Sequence, residues 1–370
     1  MKMLRLGMFS LAALFVSATA HAQSADEARL KPAWQALDKN HDGKVTLDEV
    51  PPMLAYALKL HDFDKDGAIS LAEYVDFDVD PNAEGHTPLP ANVKMAANLA
   101  YAGTADPRQA LDVYLPKQPS VRGPLPVIAY IHGGGWSTGS RILGRNLLAK
   151  MVDGGRYAGV SIGYRLSWQA TWPAQIDDAK AAIRWIRAHA REYNFDPDRI
   201  CLFGVSSGAH MAVKVGLTNG VAADEGKVGP NLKQSSRVQC VIDELGPMDL
   251  RNSGPAGASN SITQLLGGTS TEKPELARSA SPILDVHAKA PPFLIIAGNK
   301  DPFVPYQQSV ALDEALRKAG APVVLFQTVD GGGHGDFGAA RTVVEDRMVM
   351  FLERNFYDHS TPTPTDTLHK

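Results

Sequence analysis

The sequence predicts an α/β chain, a mostly parallel sheet flanked by helices, preceded by a small all-α unit. Two observations carry that expectation. From residue 111 onward, apolar runs of strand length alternate with amphipathic stretches of helical length. Near the start, two twelve-residue acidic loops stand in tandem. Composition agrees with an ordinary globular chain: 44% of the 370 residues are hydrophobic and 21% charged, which argues against disorder as the main state. The length suits two or three domains. A formal net charge of only -3 gives no sign of a nucleic-acid binder, and two cysteines are too few for a disulfide-stapled scaffold.

Residues 1–22 carry Lys2 and Arg5, an apolar run from Leu6 to Val16, and then Ala20-His21-Ala22. This is the layout of a secretory signal peptide, with cleavage expected after Ala22 and a mature chain starting at Gln23. A membrane anchor is the alternative, but a span needs about 20 apolar residues and this run is shorter. No later segment is long and apolar enough either. The expected protein is secreted or periplasmic, with no membrane span. Residues 23–85 hold 14 acidic and 6 basic side chains, so the acidity is concentrated in one short stretch.

Within that stretch, Asp38 to Glu49 places oxygen donors at positions 1, 3, 5, 7, 9 and 12 of a twelve-residue loop: Asp38, Asn40, Asp42, Lys44 (by its carbonyl), Thr46 and Glu49. Gly43 permits the sharp turn at position 6. The second copy runs from Asp62 to Glu73, with Asp62, Asp64, Asp66, Ala68 (by its carbonyl), Ser70 and Glu73 at the matching places and Gly67 at the turn. Val45 and Ile69 occupy position 8 of each loop, where paired loops make a short β contact. A solvated acidic loop is the bland alternative, but two full matches in tandem are hard to reach by composition. The segment resembles an EF-hand pair over residues 23–80, which implies calcium as a bound partner. It departs from the usual pair in one respect. Only Val50 to His61 separates the loops, Pro51-Pro52 interrupts that stretch, and one short helix, Met53 to Leu60, must serve both. A structural clamp is therefore expected rather than a sensor-type switch.

Residues 81–96 are rich in Pro, Asn and Gly and read as a linker. Beyond it, strands are expected at Leu111–Leu115, Leu125–Ile131, Tyr157–Tyr164, Arg199–Val205, Val238–Asp243, Phe293–Ala297 and Val323–Thr328. Helices are expected at Ile142–Val152, Ala174–Tyr193, Ser207–Val215, Tyr306–Lys318 and Phe337–Asn355. Ile176, Ala179, Ile183 and Ile186 have the spacing of one buried helix face. Alternation of this kind demands a parallel sheet covered on both faces. The domain is expected to span residues 97–357, and the Thr-Pro tail at 358–370 to be mobile.

Three strand ends carry the chemistry. Gly204-Val205-Ser206-Ser207-Gly208 stands where a strand turns into a helix, the context a nucleophile elbow requires. His132-Gly133-Gly134-Gly135-Trp136 follows another strand; backbone N–H groups of Gly133, Gly134 and Ser207 suit an oxyanion. His132 itself reads as structural, because its strand is far from the one expected to supply a base. Asp301 follows the strand at 293–297 and His334 the strand at 323–328, giving the chain order Ser206, Asp301, His334. Asp330 and Asp336 compete for the acid's place but lie too near His334 in sequence. His210, one helical turn past Ser206, reads as structural.

Residues from Asn98 to Phe356 resemble the α/β-hydrolase fold, and within it bacterial esterases of the feruloyl and acetyl-xylan type. Supporting segments are Leu111-Asp112-Val113-Tyr114-Leu115-Pro116, Tyr164-Arg165-Leu166, Asp196-Pro197-Asp198-Arg199-Ile200, Gly246-Pro247-Met248-Asp249-Leu250 and Asp301-Pro302-Phe303-Val304-Pro305. The group's elbow reads G-x-S-A-G-G; here Ser207 and Ala209 fill the variable places. The resemblance implies a secreted serine carboxylesterase that acts through an acyl-enzyme on Ser206 and needs no cofactor for the chemical step. Its substrate would be a small-molecule or polysaccharide-linked ester. Amide hydrolysis by the same triad is an alternative, as is a calcium-dependent binding protein with a silent hydrolase domain. Trp136, Trp168 and Trp172 are candidate substrate contacts, with loop packing as the other reading. Cys201 and Cys240 fall in strands expected to be neighbours; export permits a disulfide, and buried thiols are slightly favoured.

Overall fold

The computed structural model describes residues 34–35, 37–50, 62, 66–71, 73, 88–251, 256–362, 364 and 367–370. The expected signal segment 1–22, the helix Met53–Leu60 and Asp64 lie outside the described residues.

In the acidic segment, β1 (Val45–Thr46) and β2 (Ala68–Ile69) pair antiparallel, with Val45 opposite Ile69. Trp34, Val45, Val50 and Ile69 form a small core of their own beneath this contact. Gly43 and Gly67 both adopt φ of +85°, a conformation that a side chain at position 6 would oppose.

The large unit is built on a nine-stranded sheet. Its strands are β3 (Val93–Ala100), β4 (Ala110–Pro116), β5 (Leu125–Ile131), β6 (Ala158–Ile162), β7 (Phe195–Val205), β8 (Cys240–Glu244), β9 (Phe293–Gly298), β10 (Val324–Asp330) and β11 (Leu368–His369). Their spatial order is β11-β10-β9-β8-β7-β5-β6-β4-β3. The β3–β4 and β4–β6 pairs are antiparallel and all others parallel. Helices cover it: α1 (Arg145–Asp153), α2 (Ala174–Ala188), α3 (Ala190–Tyr193), α4 (Ser207–Leu217), α5 (Ala256–Leu266), α6 (Pro274–Ser279), α7 (Gln307–Ala319) and α8 (Ala340–Phe356). Residues of β5 and β8 are buried throughout, as strands covered on both faces must be. Ile176, Ala179, Ile183 and Ile186 all face the core, as their spacing predicts.

Several expectations need correction. The end of the presumed linker, from Val93, is the edge strand β3. Asn98 there takes φ of +59° and accommodates a bulge between Ala96 and Leu99, so the two-residue period that would have marked a strand is broken. The single helix expected at 174–193 is two, divided at His189, and Asn194 in the left-handed region ends the second. The tail does not stay apart from the sheet. Leu368 and His369 pair with Val329 and Asp330, and Lys370 Nζ lies 2.5 Å from the Asp336 carboxylate. Finally, Cys201 and Cys240 are joined by a disulfide rather than left as thiols. The β7–β8 register sets them directly opposite each other, with Cα atoms 4.7 Å apart, inside the range a disulfide spans. Among the described residues no helix is long and apolar enough to cross a membrane.

Candidate active site

After β5 the chain places β6 on one side and β7 on the other, the kind of switch point beside which open α/β sheets bind ligands at their carboxyl ends. Every candidate reacting residue stands at that edge.

Ser206 links β7 directly to α4 and takes φ of +55° and ψ of -121°. A non-glycine residue in that region is strained, and the strain lifts the side chain out of the sheet. The turn is held by Ser206 N–H donating to the Glu244 carbonyl at 2.8 Å and by His210 N–H donating to the Ser206 carbonyl at 3.0 Å. Gly204 and Gly208 are required by packing. A Cβ on Gly204 would run into the backbone of Gly208, and one on Gly208 into the carbonyls of Ile131 and His132. The N-terminus of α4, a fully buried helix, therefore sits directly under the Ser206 hydroxyl.

The glycine loop after β5 lies against this elbow. A Cβ on Gly133 would stand 2.9 Å from the Val205 carbonyl. Gly134 adopts φ of +119°, and its carbonyl is turned away to accept from Ser137 and Thr138 N–H. Among the described residues, the backbone N–H groups of Gly133, Gly134 and Ser207 take no hydrogen-bond partner. Unpaired amides around a serine hydroxyl are what a developing oxyanion needs.

On the other side of Ser206, the loops after β9 and β10 bring Asp301 and His334 together. His334 Nδ1 lies 2.6 Å from Asp301 Oδ2, and His334 Nε2 lies 2.9 Å from Ser206 Oγ. Asp301 Oδ1 accepts the N–H groups of Phe303 and Val304 at 2.8 and 2.9 Å, so its carboxylate is held in one orientation. With Nδ1–H donated to that carboxylate, Nε2 is left to accept from the hydroxyl. The competing acids are occupied elsewhere: Asp330 with Asn299 and His369, Asp336 with Lys370.

The histidines read as structural have structural surroundings. His132 is fully buried and stacks on Tyr164 with ring centroids 4.2 Å apart. His210 accepts from Trp136 Nε1 at its Nδ1 and donates from Nε2 to the Ala280 carbonyl at 2.6 Å. Burial, opposed by that carbonyl, lowers its pKa to about 4. Trp136 and Trp172, 2% and 3% exposed, crowd the same imidazole. Their indole N–H groups are already donated, to His210 and to Ser279, so both belong to the packing and not to a substrate wall. Trp168 is half-buried against the main core.

Two contributors escaped the sequence reading. Phe303 meets His334 edge-on at 5.4 Å, and Glu244 supplies the carbonyl that anchors Ser206. The signal for the latter was present: Asp243 and Glu244 are acids closing an otherwise apolar strand.

In the acidic loops, Glu49 accepts from the N–H and hydroxyl of Thr46 and from the N–H groups of Lys39 and Asn40. The Thr46 N–H above all holds its pKa down to about 2. Asp38 accepts from Asp42 and Gly43 N–H, Lys44 pairs with Asp66, and Glu73 accepts from Ser70. The donor chemistry, acids and carbonyls around a tight glycine turn, fits a hard cation. Among the described residues, however, no three His, Cys, Asp or Glu side chains already converge as a cage.

A mostly parallel sheet with a serine elbow at the end of an inner strand, and partners delivered by later strand ends, defines an α/β-hydrolase. The chain belongs to the BD-FAE family, which it matches over residues 111–316. A further match, to the family described as TAP-like protein, covers residues 272–362. Among individual proteins, Esterase LipQ of Mycobacterium tuberculosis (strain ATCC 25618 / H37Rv) is 36% identical over 241 residues, 62% of this chain and 54% of the relative. The chain spans about half the length of the curated relatives it matches. A truncated form of a carbohydrate esterase from gut microbiota superimposes with a TM-score of 0.64 at 33% identity, covering 71% of this chain and 96% of that one. Esterase B from Lactobacillus Rhamnosis (HN001) has the same TM-score at 20% identity, covering 90% and 95%, and shares the fold.

Proposed function

We propose that the protein is a serine carboxylic ester hydrolase acting through an acyl-enzyme on Ser206. The single observation that carries this reading is the continuous hydrogen-bonded line from Asp301 through His334 to Ser206 Oγ. In the first step, Ser206 Oγ attacks the ester carbonyl carbon as its proton passes to His334 Nε2. The carbonyl oxygen becomes an oxyanion bound by the free N–H groups of Gly133, Gly134 and Ser207. Asp301 holds the imidazole and stabilises its cation. Collapse breaks the C–O bond to the alcohol, which leaves with the proton from His334. Water then repeats the sequence on the acyl-enzyme, its proton going to His334 and back to Ser206 as the acid departs. The named esterases among the relatives support ester over amide substrates. The carbohydrate-esterase likeness supports an acyl group carried on a sugar. A panel of acetyl, feruloyl and longer-chain p-nitrophenyl esters beside the matching anilides tests this. Turnover of esters at least a hundredfold above the anilides is expected, and preferred anilide cleavage would overturn the ester assignment.

The reading includes calcium and export. Asp38, Asn40, Asp42, Lys44, Thr46 and Glu49 would hold one ion, and Asp62, Asp64, Asp66, Ala68, Ser70 and Glu73 a second. Calcium there supplies charge neutralisation for a crowded acidic segment and takes no part in ester cleavage. Export is supported by the composition of residues 1–22 and by a disulfide of the kind that persists in oxidising compartments.

A further inference from the structure

One ion pair, with a buried carboxylate and a guanidinium about a third exposed, joins the two halves of the site. Glu244 ends β8, opposite Val205 in the register, so its carbonyl receives the Ser206 N–H. Its side chain, 1% exposed, turns the other way and meets the guanidinium of Arg341 in the first turn of α8. The contact is two-pronged, with Nη2 to Oε1 at 2.6 Å and Nη1 to Oε2 at 3.1 Å. The same Nη2 reaches the carbonyl of Gly335, the residue after His334, at 3.3 Å. Arg341 also lies 4.7 Å over the ring of Phe337, which closes that loop. A single residue, Glu244, thus holds the serine turn by its main-chain carbonyl and reaches the histidine loop by its side chain, through Arg341.

We infer that Glu244 and Arg341 are positioning residues that set the distance between Ser206 Oγ and His334 Nε2. This rests on the esterase reading above. Neither residue reaches the reacting atoms, yet Glu244 is bonded to the backbone of Ser206 and Arg341 to the carbonyl of Gly335, next in the chain after His334. A fork is needed: only a planar guanidinium grips both carboxylate oxygens and still donates to a carbonyl beyond them. Stability alone is a poor reason for the pair. Burying a carboxylate is costly, and well-packed apolar residues of similar volume often serve a fold as well or better. The β10–α8 loop is rich in glycine, with Gly331, Gly335 and Gly338 all at positive φ, and the bonds from Gly331 N–H to Asn299 Oδ1, from Lys300 N–H to the Gly332 carbonyl and from Gly333 N–H to the Asp336 carbonyl tie it in place. Arg341 adds a tether at the Gly335 carbonyl, on the C-terminal side of His334. Misplacement of reacting groups by about 1 Å costs on the order of a hundredfold in rate.

The test is a comparison of kcat, KM and Tm for the wild-type chain, Arg341→Lys, Arg341→Met and the double variant Glu244→Gln/Arg341→Met, on the short p-nitrophenyl ester that the wild type cleaves best. The double variant matters because Arg341→Met alone strands a buried charge and can fail to fold. The expected result is a loss in kcat of about 10- to 100-fold in the double variant, with KM within twofold and Tm close to wild type. Arg341→Lys should fall between, since an ammonium keeps the charge but not the fork. Recovery of wild-type kcat together with Tm in the double variant would reduce the pair to a structural ion pair and overturn the inference. A wild-type chain with no ester turnover overturns the esterase reading itself, an outcome distinct from active wild type with unaffected variants.

Discussion

His334 Nε2 lies 2.9 Å from Ser206 Oγ although 128 positions separate the two residues in the chain. The contact exists because two strands that are not neighbours in the sheet, β7 and β10, end at the same edge and send their loops over the intervening β8 and β9. Asp301, from the loop after β9, completes the line at 2.6 Å. Asp301→Asn should lower kcat by about 10⁴-fold with little change in KM, because an amide favours the wrong imidazole tautomer. Asp330→Asn and Asp336→Asn should stay within a few-fold of wild type. Steady-state kinetics on the three variants decides the acid's identity.

The elbow glycines make a folding prediction. Gly204→Ala and Gly208→Ala each drive a methyl into main-chain atoms that cannot move without displacing β5 or α4. A loss of about 3 kcal/mol or more is expected at either position. Urea unfolding followed by circular dichroism measures it, and a loss under about 1 kcal/mol would contradict the close packing at the turn.

Asp243 gives stability a pH dependence. Its Oδ1 accepts the Gly246 N–H at 3.0 Å, while Oδ2 has no partner among the described residues. Burial, with a smaller push from the Glu244 charge, raises its pKa to about 8. The folded chain therefore keeps a proton that the unfolded chain releases near its ordinary value. The stabilising contribution is complete below that ordinary value and is lost as pH rises to about 8, with a slope of up to about 1.4 kcal/mol per pH unit. Asp243→Asn should flatten this slope, so the variant gains on wild type from pH 4 to pH 8. Parallel denaturation curves at several pH values test the sign.

His210 acts in the opposite direction. Its imidazole is neutral in the folded chain, with a pKa lowered to about 4 mainly by burial. Its contribution is present above the unfolded value of about 6.5 and is lost as pH falls toward 4. His210→Gln should be less stable at pH 7, through loss of a buried bond, and should lose less than wild type on acidification. Equal losses in both proteins would contradict the assignment.

Calcium removal is expected to lower Tm without changing kcat per folded molecule. Glu49→Gln and Glu73→Gln should weaken binding in calorimetric titration with calcium. Extracellular modules of this kind bind at about 10⁻⁴–10⁻³ M. An unchanged Tm in EDTA would contradict the structural clamp.

Much of the fold was legible because strand ends announce themselves. An apolar run followed by Gly-x-Ser-x-Gly, by His-Gly-Gly-Gly, or by a lone Asp or His gives both an element and its chemistry. The order Ser206, Asp301, His334 then constrained the topology. What stayed hidden lies in three-dimensional packing. The bulge at Asn98 disguised β3, and the pairing of residues 368–369 with β10 has no local signal in a Thr-Pro tail. The disulfide followed from a register, Cys201 opposite Cys240, that composition cannot supply. Trp136 and Trp172 have the residue type of a substrate wall, yet they enclose His210, a partner that only the folded chain brings to them.

The central claim is that Ser206 is a nucleophile activated by His334. Intact-mass and peptide mass spectrometry after reaction with a fluorophosphonate tests it most directly. One equivalent of label on Ser206 is expected, together with loss of ester turnover. Labelling should disappear in Ser206→Ala and slow by several orders of magnitude in His334→Ala. An unlabelled Ser206 in the folded wild-type chain, or ester turnover that survives Ser206→Ala, would contradict it.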